Sequence, residues 1–111
     1  MKTGIAASCL AGVFLLAVSS AQAAIDDPAA KELMKKGGCG ACHSVNIKVV
    51  GPAFKDVAAK HKGQADAVDT LVNAVRKGSK GVYGQIPMPV TPPARISDAE
   101  LHDLAEWILS K

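Results

Sequence analysis

Five consecutive residues, Cys39-Gly40-Ala41-Cys42-His43, restrict this chain more than any other stretch of it. Two cysteines three positions apart, with a histidine directly after the second, form the CxxCH pattern of c-type haem attachment. Each part has its own chemical task. The thiols of Cys39 and Cys42 can add to the two vinyl groups of haem as thioethers, and His43 is placed to bind iron from the proximal face. Gly40 and Ala41 are small, which lets the chain run close beneath a flat ring. Two other readings of the same residues stay open at this point. A CxxC pair can act as a catalytic dithiol or close a disulfide, although a thioredoxin-like site wants a βαβ context. A zinc site would need further ligands, for which His61 and His102 are the candidates.

The N-terminus bears on the choice. Lys2 is followed by an uncharged stretch reaching Ile25, with an apolar centre at Leu10 to Val18 and the small-residue pattern Ala21-Gln22-Ala23 beyond it. That is the layout of a secretory signal cut after Ala23, so residues 1–23 are expected to leave and 24–111 to form one domain. A retained membrane anchor is the competing reading, but Gly4, Ser8, Gly12, Ser19, Ser20 and Gln22 dilute the apolar run. Cys9 lies ahead of the apolar centre, the wrong place for lipid modification, and would leave with the signal. Export favours haem, since covalent attachment of this kind belongs outside the bacterial cytoplasm.

A domain of this size has room for one small apolar core with a modest stability margin. Its aromatic residues are Phe54, Tyr83 and Trp107, a shortage that a large apolar cofactor would offset. The net charge of +3 falls by one with Lys2 and is too small for a nucleic-acid-binding reading. Lysines crowd residues 31–80, whereas Asp98, Glu100, Asp103 and Glu106 sit in the last segment. Such asymmetry can steer docking with a charged partner.

The pattern along the domain predicts an all-α fold with long loops. Asp27-Pro28 reads as an N-cap followed by proline at the first helical position, and Gly37-Gly38 stop that helix after Lys35 and Lys36. A short helix is expected from about Phe54 to His61. A second, from Asp66 to Lys77, has Val68, Leu71, Val72 and Val75 on one face and Gly78 as its terminator. Glycines and prolines from Gly78 to Arg95 exclude regular helix or central strand there. Ser97 and Glu100 then form a capping-box pattern ahead of Leu101, Leu104, Ala105 and Ile108. No strand, repeat or low-complexity segment stands out.

With haem present, a second axial ligand must come from elsewhere. Met88 in Ile86-Pro87-Met88-Pro89 is the strongest candidate, because prolines on both sides stiffen its backbone. A thioether there favours Fe(II) and raises the reduction potential. Met34, on the first helix, reads as core filler, and His61 and His102 as surface residues on polar helix faces. Gly51-Pro52 follows His43 at a distance that permits a return beneath the haem, where the Pro52 carbonyl can accept the His43 Nδ1–H.

At this point the chain resembles the small bacterial class I cytochromes c of the cytochrome c-551 type. The resemblance is carried by Asp27-Pro28, Lys36-Gly37-Gly38-Cys39, Val50-Gly51-Pro52-Ala53, Asp56-Val57-Ala58-Ala59-Lys60, Gly78-Ser79-Lys80-Gly81-Val82-Tyr83-Gly84, Ile86-Pro87-Met88-Pro89 and Trp107. It implies three or four helices around one covalently attached haem c, with thioethers at Cys39 and Cys42, iron ligands His43 and Met88, and the Pro52 carbonyl behind the histidine. The role it implies is a periplasmic shuttle that cycles Fe(III)/Fe(II) and is not an enzyme. Family partners are quinol-oxidising complexes, terminal oxidases, peroxidases and nitrite reductase. A monomer is expected, because a shuttle must leave each partner quickly. Two departures stand out. Tyr83 occupies a position where relatives often have a tryptophan reaching a haem propionate. After Pro89 the chain runs Val90-Thr91-Pro92-Pro93-Ala94-Arg95, longer than in relatives and without their asparagine near the methionine sulfur.

Overall fold

Four α-helices carry the fold in a computed structural model that describes residues 24–111 and Gly12. They are α1 (Asp27–Gly37), α2 (Phe54–Lys60), α3 (Ala67–Lys77) and α4 (Asp98–Leu109), with a 3₁₀ turn at Cys39–Ala41. The expected signal segment lies outside the described residues, Gly12 apart. No strand forms among the described residues, and the pairings His43 with Lys48 and Ser79 with Met88 are isolated bridges. The all-α expectation holds.

The start of α1 corrects the sequence reading by one residue. Asp26 is the N-cap, accepting the Ala29 N–H at 2.9 Å, and Asp27 is already helical. Both aspartates suit the positive helix end, but Asp27 is needed elsewhere. Its Oδ1 accepts the Trp107 indole N–H at 2.8 Å and the Lys111 ammonium at 3.1 Å, tying α1 to the end of α4. Gly38 ends α1 in the left-handed conformation (φ 72°) and returns its N–H to Lys35 O.

α4 is the central strut and packs against α1, α2 and α3. Its capping box is complete: Ser97 Oγ accepts the Glu100 N–H at 3.2 Å, and Glu100 Oε2 accepts the Ser97 N–H at 2.9 Å. Ala30, Phe54, Ile96, Leu101, Leu104 and Trp107 form the buried cluster, with Met34 packed against it. The apolar face of α3 behaves differently from expectation. Val68, Leu71, Val72 and Val75 are all only half-buried. For Leu71 and Val75 the reason is that they face a cavity as well as neighbouring helices.

An acid-sensitive contact joins α1 to α4. The Lys36 ammonium lies 2.6 Å from Glu100 Oε1 and, with the Ser97 cap, lowers the Glu100 pKa to about 2. A carboxyl whose folded pKa is depressed stabilises the fold above its ordinary value of 4.5, and that contribution is lost as pH falls toward 2. Lys36→Met is therefore expected to lower the urea midpoint at pH 7, with the gap from the parent closing by pH 2. A gap that stays constant with pH would show that the pair contributes nothing through charge.

Candidate functional site

The segment after α1 explains how two thiols come to share one wall. In a 3₁₀ turn residues i and i+3 eclipse, and the turn at Cys39–Ala41 places Cys42 one full repeat after Cys39. The turn is closed by N–H donation from Cys42 and His43 to Cys39 O, both at 3.1 Å. Both cysteines are free, half-buried and on the wall of one cavity. Burial pushes the Cys39 thiol up, opposed by the nearby Arg95 cation.

His43 is held from several directions. The chain returns at Gly51, whose N–H donates to Cys42 O at 2.7 Å, and at Phe54, whose N–H donates to Ser44 O at 2.9 Å. That return puts Pro52 O 2.9 Å from His43 Nδ1. A carbonyl can only accept, so Nδ1 carries the proton and Nε2 is left with a free lone pair. Phe54 stacks on the imidazole, with centroids 5.2 Å apart and planes 19° apart, and Trp107 meets Phe54 edge-on at 6.0 Å. Gly51 comes so close that a Cβ there would lie 2.5 Å from His43 Cε1.

Met88 sits in the long loop and lines the same cavity. Its backbone is pinned twice to Ser79: Met88 N–H donates to Ser79 O at 2.8 Å, and Ser79 N–H to Met88 O at 3.1 Å. Gly78, at φ 79°, makes the turn that permits this pairing, since a Cβ there would meet Met88 O at 2.9 Å. The structure thus brings Cys39, Cys42, His43, Pro52 and Met88 to one cavity of about 380 Å³.

The rest of that cavity is apolar. Val57, Leu71, Val75, Leu101, Leu104 and Ile108 contribute to its walls, and Val49, Val50, Val82 and Ile86 stand around it with 43–69% of their surface exposed. Tyr83 also lines it. The Tyr83 hydroxyl is buried without a hydrogen-bond partner among the described residues, and burial, with Asp56 nearby, raises its pKa. A buried donor left without a partner is costly. These features fit haem: an apolar slot, two free thiols, an imidazole held at Nδ1 with Nε2 free, a thioether, and a polar donor suited to a carboxylate.

The competing readings fare less well. Among the described residues there is no βαβ unit to support a thioredoxin-like dithiol. His102 lies exposed on α4, grouped with Asp103 and Glu106, away from the cysteines. His61 adds to the sequence reading: it is half-buried, its Nδ1 2.9 Å from Gln64 Oε1 in an exposed hydrogen bond, and it also lines the cavity. It occupies the end of α2, which the cavity undercuts.

The cytochrome c family profile matches residues 29–111, nearly the whole described domain. The chain belongs to the cytochrome c family. It is 50% identical to cytochrome c-551 of Pseudomonas aeruginosa over 78% of each chain. It is also 50% identical to cytochrome c2 of Rubrivivax gelatinosus, over 70% of this chain and 92% of that one. The crystal structure of wild-type Nitrosomonas europaea cytochrome c552 superposes with a TM-score of 0.66 at 51% identity, covering 72% of this chain and 96% of the other. These similarities identify a bacterial class I cytochrome c of the c-551 type, a single-haem electron carrier and not an enzyme. Cytochromes of this family hold haem c covalently, in keeping with the Cys39 and Cys42 pair. Among the described residues no helix is long and apolar enough to cross a membrane.

Sequence reasoning missed the Gly51 approach to His43, the Ser79–Met88 pairing and the cavity position of His61. The Gly51-Pro52 dipeptide was a signal for the first, because glycine is required where a backbone passes close to another group. The second depends on the path of one loop, and the third on where the cavity forms.

Proposed function

We propose that this chain is a periplasmic electron shuttle in which Cys39 and Cys42 hold haem c as thioethers, and His43 and Met88 are the two axial ligands. Bound there, haem supplies one-electron Fe(III)/Fe(II) exchange with no bond made or broken at a substrate. The observation that carries the reading is the pairing of two positioned donors on one cavity: the His43 imidazole, oriented by Pro52 O at 2.9 Å, and the thioether of Met88, whose backbone is pinned through both N–H and C=O. With His43 and Met88 both committed to holding the iron, a substrate would find no free donor position, and donors fixed by the protein would need to move little on electron exchange. The Pro52 carbonyl strengthens His43 as a ligand. Tyr83 offers its hydroxyl to a haem carboxylate.

Export follows from the first 23 residues, with cleavage after Ala23. The exposed valines and Ile86 around the cavity, with Lys48 and Lys80 beside them, form the edge at which redox proteins dock briefly. A quinol-oxidising complex, nitrite reductase, a terminal oxidase or a peroxidase are the partners the family suggests, and the carrier acts as a monomer.

The deciding experiment is an optical titration of protein from a host able to attach haem, oxidised and reduced, with and without carbon monoxide. Low-spin c-type bands, a weak far-red sulfur-to-iron band when oxidised and no response to carbon monoxide are expected. The intact mass should equal the chain from Ala24 plus one haem. High-spin bands that shift with carbon monoxide would reject Met88 as a firm ligand and favour a sensor or enzyme. A colourless product would return the dithiol reading.

A further inference from the structure

The loop that carries Met88 is short of hydrogen-bond donors. Pro87, Pro89, Pro92 and Pro93 have no N–H, so carbonyls outnumber donors and the loop must be anchored from outside. Upstream, the Ser79 pairing does this. Downstream, one side chain does most of it. Arg76, near the end of α3, donates from NH1 to Thr91 O at 3.1 Å and from NH2 to Ile96 O at 2.8 Å. Its Nε and NH2 also reach Asp98 Oδ1 at 3.0 and 2.7 Å, at the start of α4. Beside it Thr91 N–H donates to Val75 O at 2.8 Å. The Arg76 side chain is only 14% exposed although it carries a full charge. It is absent from the cavity wall, so any effect it has on Met88 runs through the loop and the start of α4.

We infer that Arg76 is the positioning residue for Met88, clamping both ends of the Thr91–Ile96 segment so that the thioether stays on the iron side of the cavity. The inference rests on the His43/Met88 reading above. The planar guanidinium offers several fixed donors at once, whereas the lysine ammonium is a single flexible point, so the arrangement calls for arginine. Removing it leaves the Thr91 and Ile96 carbonyls without that donor, and the loop gains freedom three residues from the sulfur.

The test compares Arg76→Met, Arg76→Lys and Asp27→Ala in the haem-loaded protein, reading the far-red band and imidazole binding alongside thermal stability. Asp27→Ala breaks the α1–α4 tie and serves as a variant destabilised away from the loop. Arg76→Met is expected to weaken the far-red band and to raise imidazole affinity about tenfold, because apparent affinity follows the fraction of protein with the methionine detached. Arg76→Lys should fall between, and Asp27→Ala should lose stability with band and imidazole affinity unchanged. If Arg76→Met merely loses stability as Asp27→Ala does, Arg76 is structural and the clamp is wrong. If the parent protein itself lacks the far-red band, the Met88 reading fails and takes the clamp with it.

Discussion

Met88→Ala is expected to abolish the far-red band of the oxidised protein, turn the haem high-spin and open it to carbon monoxide and imidazole. The reduction potential should drop by a sizeable share of the roughly 0.8 V that axial ligands span across haem proteins, since the thioether is the donor that favours Fe(II). The loop itself should persist. Both Ser79–Met88 hydrogen bonds run through the backbone, as does the Thr91–Val75 bond, and none depends on the side chain removed. Loss of ligation without loss of fold is the signature to look for, by optical spectra and potentiometry beside circular dichroism. A variant that keeps a low-spin sulfur-ligated spectrum would dismiss Met88 altogether. Met34 could not take its place without dismantling α1, where it packs against the core.

Gly51→Ala should damage both the fold and the setting of His43. The added Cβ would sit 2.5 Å from His43 Cε1, 2.9 Å from Nδ1 and 3.0 Å from Nε2, all far inside van der Waals contact. The imidazole cannot simply retreat, because Phe54 stacks on it and Pro52 O holds Nδ1. Overpacking of this kind costs about 1–3 kcal/mol, and tilting the ring away from Pro52 would change its strength as a ligand. The expected result is a lower denaturant midpoint together with a shifted reduction potential. Gly40→Ala is the internal comparison: no protein atom lies within 4 Å of a Cβ there, so His43 should keep its place. Equal behaviour of the two variants would show that His43 is not confined by the returning chain.

The helices were legible because their signals are local. Ser97 and Glu100 stand three residues apart and close the same capping box in space, and Gly38 and Gly78 stop α1 and α3 where glycine is expected to. The error at α1 is a slip of one residue: two adjacent aspartates can both cap, Asp26 does so, and Asp27 instead meets Trp107 and Lys111, eighty or more residues away. The site was legible as chemistry, since CxxCH and a proline-flanked methionine name their donors without reference to any fold. What holds those donors was not. Arg76 reads in the sequence as one more basic residue near a helix C-terminus, and only the path of the later loop turns it into a four-bond anchor. His61 likewise looks polar and peripheral until the cavity reaches the end of α2. The half-burial of Leu71 and Val75 has the same origin, because a periodic apolar face does not say whether it meets protein or a large apolar group.

The tie between Asp27 and the last turn of the chain has a consequence for how the molecule assembles. Trp107 and Lys111 meet Asp27 across nearly the full length of the domain, so this contact belongs to the most non-local set in the topology. Contacts of large sequence separation carry a loop-closure cost before they return any stabilisation, and they slow folding. The middle of the chain, by contrast, is joined by near-neighbour bonds such as Cys42 to Gly51 and Ser79 to Met88. Synthesis from the N-terminus therefore delivers the CxxCH turn and its returning loop well before α4 exists. Until α4 docks, its share of the cavity wall is missing and the two thiols stand open, the condition in which a large rigid group can be joined to them.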